Sequence, residues 1–178
     1  MPWIEVAEKP ERNAVVASRI LPTARDLPAN VLRFYVEFSG PAEADFDRDQ
    51  IRLTDGAGRA IDDAFLLLGQ ELWSPDARRL TLLMEPGRIK RGMGAGPSHL
   101  PVFLTGQEYQ LDVSTGGRPL HKRFTIEAPR LKPLNEADWE LTYVPRARSS
   151  DCLLLRFDRV MDNALVADEI AVLALARD

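Results

Sequence analysis

Between residues 31 and 39 the chain reads VLRFYVEFS, which sets Leu32, Phe34, Val36 and Phe38 against Arg33, Tyr35 and Glu37. A period of two predicts a strand with one buried face and one wet face. The run IRLTDGAGRAIDDAFLLL predicts a hairpin: a strand over 51–55, a turn on Asp55, Gly56 and Gly58, and a second strand over 61–67. RLTLLME (79–85), YQLDVST (109–115) and KRFTIEA (122–128) add three more strands, the last two joined by Gly116 and Gly117. Prolines and glycines cut the apolar runs to about five to nine residues, a strand length, and no segment carries a helical period. The expected fold class is therefore all-β, with short antiparallel strands forming a sandwich or barrel.

Alternation stops at APRLKPLNEAD, where Pro129 and Pro133 bracket the segment. The expected organisation is an N-terminal extension at 1–13 whose PWIEVA could add a strand, a β-sandwich over 14–129, a linker at 130–133, and a second unit over 134–178. That second unit supplies about three strands, in WELTYVP, CLLLRFDRVMDN and IAVLALA, where a sandwich needs about seven. Its strands are apolar on both faces. Leu153, Leu155 and Phe157 alternate with Leu154, and Ile170, Val172 and Ala174 alternate with Leu173 and Leu175. Something must cover such faces, so Leu154, Leu173 and Leu175 are interface candidates, for docking on the first unit, a protein partner or self-association.

Displacing the chain by 119 positions lays Val36, Glu37 and Phe38 over Leu155, Arg156 and Phe157, and Ile51 and Leu53 over Ile170 and Val172. ILP at 20–22 is similar to YVP at 143–145, with the following loop about four residues longer in the first copy, and the matches together point to an internal duplication. The element V-x-F-S-x-P at 36–41, echoed as LRFDRVMD, resembles the second strand of the bacterial immunoglobulin-like domains first described in S-layer proteins. LTLLMEPG (80–87) followed by GQEYQLDV (106–113) is similar to that family's later strands, and the resemblance places Tyr109 at a structural tyrosine corner. The chain departs from the family pattern in Ala42 and Glu43 after the proline and in a long insert at 89–105. The resemblance implies an antiparallel immunoglobulin-like β-sandwich followed by a partial second unit. It also implies a bacterial exported or cell-envelope interaction or scaffold module without catalysis of its own, periplasmic or extracellular if a signal has been removed and otherwise cytoplasmic.

A net charge of −4 gives no general attraction to nucleic acid, which is bound through clustered cations. No apolar run approaches the ~20 residues of a membrane span. The single cysteine, Cys152, cannot form an internal disulfide, so the fold is not stapled by one. No cofactor is expected.

The stretch EPGRIKRGMGAGPSH (85–99) is rich in glycine and cations, yet Met93 stands where a phosphate-binding loop needs its lysine. An inter-strand loop is the expected reading, with Arg88, Lys90 and Arg91 as anion-binding candidates. If this loop acted as a lid over 88–105, the chain would be a small-ligand binder or an enzyme. DFDRDQ (45–50) places Asp45, Asp47 and Asp49 at alternate positions, as calcium loops do, but lacks the glycine and the distal glutamate of such loops. It remains a weak metal candidate, its acids read as the solvated rim of a crossover anchored by Phe46. GPSHL lacks the second glycine of a nucleophile elbow, and His99 and His121 lie too far apart for a local zinc motif. Trp73 and Trp139 are expected to pack at strand edges.

Overall fold

Aromatic and branched side chains at every second position favour a pleated, half-buried surface, and the glycines and prolines between them end each segment. The computed structural model describes residues 15–43, 46–89, 100–115, 119–133, 135–143, 152–159, 161, 166 and 170–171. In chain order its strands are β1 (Ala17–Leu21), β2 (Asp26–Pro28), β3 (Arg33–Phe38), β4 (Ile51–Asp55), β5 (Leu72–Trp73), β6 (Arg79–Leu83), β7 (Glu108–Val113), β8 (Leu120–Glu127), β9 (Glu140–Tyr143) and β10 (Leu154–Arg156). The protein is mostly β-sheet, in antiparallel and mixed sheets.

Two four-stranded sheets, ordered β1-β3-β6-β5 and β2-β8-β7-β4, share one hydrophobic core. Phe34 and Val36 of β3, Leu80 and Leu82 of β6, Leu111 and Val113 of β7, and Phe124 and Ile126 of β8 are buried between them. Four aromatic rings bridge the gap: Phe34 lies 5.3 Å from Phe124, and Phe103 lies 5.0 Å from Tyr109 and 5.7 Å from Phe124. Such offset and edge contacts add to the ~1.5–3 kcal/mol that each buried side chain of this size contributes. A second trio, Phe38, Phe46 and Trp73, closes the core beside the short edge strand β5, with centroids 5.4 to 6.4 Å apart.

The sheets are not wholly antiparallel as expected. β2 runs parallel to β8, pairing Asp26 with Thr125 and Leu27 with Ile126. Only residues 22–25 separate β1 from β2, and within them the chain leaves one sheet and joins the other. Neither piece shows a period of two long enough to be read beforehand.

The expected second strand over 61–67 does not form. The turn itself is tight: Asp55 Oδ1 accepts from the amides of Ala57 and Arg59, and Gly58 sits at φ +79°. Beyond it, the Ile61 amide donates to the Leu53 carbonyl and Ala60 bridges Thr54, but the chain then crosses to the other sheet, where Phe65 bridges Met84. Burial of Ala64 between Asp63 and Phe65 draws it across, and Asp63 takes a positive φ of 51° to allow it.

The faces of β3 also differ from the alternation in two places. Leu32 is half exposed, because it lies before the strand, whereas Tyr35 is only 4% exposed on the outer face. Leu21 stands opposite Tyr35 in register, and the Arg79 guanidinium lies 5.7 Å from its ring centre, so an aliphatic and a cation cover the ring.

Asn30 ties the body to the linker: its Nδ2 donates to the Arg130 carbonyl at 2.8 Å and its Oδ1 accepts from the Arg130 amide at 2.9 Å. Beyond the linker, β9 and β10 pair antiparallel as a two-stranded sheet. Trp139 and Phe157 stack edge to face beside them at 5.1 Å. Residues 172–178, expected to complete a third strand there, lie outside the described residues.

Candidate functional site

The strand LTLL of β6 ends where Pro86 fixes φ, and the chain makes a single helical turn, Pro86–Ile89, whose Ile89 is buried in the core. Arg88 leaves this turn sideways. Its Nε donates to the Leu100 carbonyl at 3.0 Å and its Nη1 to the Asp62 carbonyl, so the guanidinium binds the two ends of the insert and the β4–β6 crossover together. Lys90, Arg91, Ser98 and His99 lie outside the described residues. Among the described residues, the expected anion-binding trio is thus represented by a cation engaged with backbone carbonyls.

Beside Arg88 opens a cleft of about 590 Å³ at one end of the two-sheet body, walled by Leu32, Ile89, Phe103, Pro129 and Leu131. Phe103 forms part of the core, while Leu32 and Leu131 are exposed. The polar groups at this cleft are held elsewhere: Asn30 by the Arg130 backbone and Arg88 by its two carbonyls. Its chemistry is that of an apolar surface without a general base or nucleophile among the lining residues named.

The acidic string serves a turn. Asp47 caps a single 3₁₀ turn, Arg48–Gln50, by accepting from the Asp49 amide at 3.0 Å. Arg48 between them points away, its Nη1 2.8 Å from both carboxylate oxygens of Glu71. Asp45 lies outside the described residues, and among the described residues no group of three or more histidine, cysteine or acidic side chains is placed to hold a metal ion.

On the outer face of β7 and β8, Asp112 Oδ1 accepts from Gln110 Nε2 at 2.7 Å and lies 2.6 Å from His121 Nδ1. Arg123 Nε in turn donates to Gln110 Oε1 at 2.8 Å, which extends a solvated polar ladder across the two strands. Lys122 faces the other way. Burial lowers its pKa, and Nζ donates to the Ala24 carbonyl at 2.8 Å, holding the bend between β1 and β2. Tyr109, at the start of β7, accepts from the Leu104 amide at 2.8 Å, and burial raises its pKa.

The exposed apolar side chains of the C-terminal hairpin form the other feature. Leu154 is 53% and Leu141 51% exposed, with Tyr143 and Leu153 close behind. Leu173 and Leu175 lie outside the described residues. Cys152, just before β10, is exposed and unpaired. Across the hairpin Glu140 stands opposite Arg156, charged ends 3.8 Å apart. Sequence reasoning did not single out this pair, nor Asn30, whose partner lies 100 positions away and leaves no local signal. No family model, curated protein or solved structure matches the chain.

Proposed function

We propose that this chain is a non-catalytic interaction or scaffold module of a bacterial exported or cell-envelope protein: an immunoglobulin-like β-sandwich carrying a partial second unit. Taken in chain order, β1 and β3 to β8 correspond to strands A to G, giving sheets A-B-E-D and C-F-G, with β2 added beside G. That strand order supports an immunoglobulin-like body, and so does the bond from the Leu104 amide to Tyr109, which has the form of a tyrosine corner. The assignment to an exported or envelope protein rests on the resemblance in V-x-F-S-x-P and G-x-x-Y alone.

The observation that carries the interaction role is the exposure of Leu141 and Leu154 on a two-stranded hairpin. A hairpin of two strands is marginal in water without a further strand or a covering surface. Hydrogen exchange of the isolated chain tests this reading. The amides of β9 and β10 are expected to exchange near the unprotected rate while those of β3 and β7 remain slow. Equally slow exchange in a monomer would show a hairpin already covered and would overturn it.

The apolar cleft beside Arg88 favours a second reading, in which it holds a small uncharged ligand with 88–105 as a lid. A hydrophobic probe that binds the chain and is displaced by Leu32→Asp would support it; indifference to that substitution would remove it.

A further inference from the structure

The hairpin pairs antiparallel as β1 does with β3, with the irregularity in its register at a different place, and it carries an ion pair of the opposite order. In the body, Arg19 of β1 stands opposite Glu37 of β3, and Arg19 Nε donates to Glu37 Oε2 at 2.8 Å. In the hairpin, Glu140 of β9 stands opposite Arg156 of β10. The displacement of 119 positions (156 − 37) that matches VEF to LRF puts Arg156 in the place of Glu37. The Ile51 amide donates to the Arg48 carbonyl three positions before it, and the amide of its counterpart Ile170 donates to the Val166 carbonyl four positions before it, at 3.1 Å.

This correspondence says what the second edge of β10, which no described residue pairs with, is shaped to take. In the body the second edge of β3 is filled by β6, antiparallel, with Leu80 opposite Val36, Leu82 opposite Phe34 and Arg79 opposite Glu37. The counterparts of Phe34, Val36 and Glu37 are Leu153, Leu155 and Arg156. Among the described residues β10 pairs with β9 alone.

We propose that this edge of β10 is completed by an extended segment of another polypeptide, added antiparallel, with an acidic residue opposite Arg156 and leucine-like residues opposite Leu155 and Leu153. Read from its N-terminal end the segment is acidic, Leu, any residue, Leu: the β6 pattern with its first charge exchanged. Main-chain bonds along the edge supply the affinity and the alternate side chains the selectivity. Arg156 is exposed, so its partner sets register and excludes wrong strands more than it adds binding energy. A second copy of this chain does not fit as the donor. Its β6 is buried in its own core and presents Arg79 where an acid is required, and β10 against β10 about Leu155 brings Leu154 to Arg156.

The proposal rests on the interaction-module reading, and one experiment separates the two. The whole chain is mixed with synthetic peptides of residues 76–85, one unchanged and one carrying Arg79→Glu, and exchange of the Leu155 and Arg156 amides is followed with the solution mass. The acidic peptide, at about ten times its dissociation constant, is expected to slow those amides about tenfold on a particle containing one chain. The unchanged peptide is expected to do so less. The double variant Glu140→Arg/Arg156→Glu restores the charges of the body and should reverse the preference. Amides that exchange fast in the free chain and are slowed by neither peptide overturn this proposal and leave the interaction role standing, as does a preference that survives the charge exchange. A mass near twice the 20.0 kDa of one chain with β10 protected also overturns it, in favour of self-association. Protection in the free monomer overturns both.

Discussion

Replacing Tyr109 with Phe removes one oxygen from the corner at the start of β7 and leaves the ring. The ring's contacts, 5.0 Å to Phe103 and 6.0 Å to Phe124 between centroids, survive the change. What is lost is the acceptor for the Leu104 amide. An unsatisfied buried donor costs about 1–3 kcal/mol. Because the Leu104 side chain is half exposed, water reaches part of this corner and the lower end of that range applies, about 1–1.5 kcal/mol. For a body of this size, between the small and large domains for which the scaling is known, that is a fall in Tm of about 5 °C. Calorimetry at neutral pH measures it, and a urea titration should give a lower midpoint with an unchanged slope. Burial, opposed by the Leu104 bond and aided by the charge of Asp55, raises the Tyr109 pKa above 10.0. The folded state therefore holds this proton where the unfolded chain releases it, and the wild type loses stability as pH rises above about 10. The Phe variant lacks that loss, so the gap between the two should close in alkali. A Tm within about 1 °C of wild type at neutral pH, with parallel curves above pH 10, would refute the account of the hydroxyl as a tether.

Phe34→Ala, at a fully buried position against Phe103 and Phe124, should cost about 3–5 kcal/mol in a urea titration. Asn30→Ala should release the Arg130 amide to fast exchange and cost about 1–2 kcal/mol, because both bonds to that residue go with it. Gly58→Ala places a side chain at φ +79° and should cost about 1–2 kcal/mol even though nothing stands within 4 Å of the new carbon. The Asp55 carboxyl is held below 3.8, first by the Arg59 amide and then by its side chain and charge, with the Ala57 amide helping. Its contribution is present above pH 3.8 and disappears as pH falls through the lower folded value, so acid titration of Asp55→Asn should lack that part of the loss.

The strands legible in advance were those whose neighbours are local in pattern. Phe34, Val36 and Phe38 announce β3, and Tyr109, Leu111 and Val113 announce β7, because a period of two belongs to the strand itself. β1, β2 and β5 were not legible, since five, three and two residues carry too few alternations, and their strand state is imposed by the longer neighbour each pairs with. Tyr35 was misplaced for a related reason, since its burial depends on what Leu21 and Arg79 do across the sheet, whereas Leu32 lies before the strand begins. At the candidate sites, the charges of Arg88 and Asp47 were visible but their partners were not. Backbone carbonyls and amides carry no sequence signature, so an arginine aimed at carbonyls reads like one waiting for an anion. The Glu140–Arg156 pair was no more legible, because only the register of β9 on β10 sets the two opposite each other.

The short passage from β1 to β2 has a mechanical consequence. β2 lies parallel to β8 and is held by bonds from the Thr125 amide to the Arg25 carbonyl and from the Ala29 amide to the Glu127 carbonyl, near the point where the chain leaves the body. Tension applied between residue 15 and residue 130 slides these two strands past each other, so their bonds are loaded together in shear instead of opening one at a time. The other edge of that sheet would unzip. In a line of such units pulled end to end, the β2–β8 seam would carry its load in shear, with the Asn30 clamp on Arg130 sharing it.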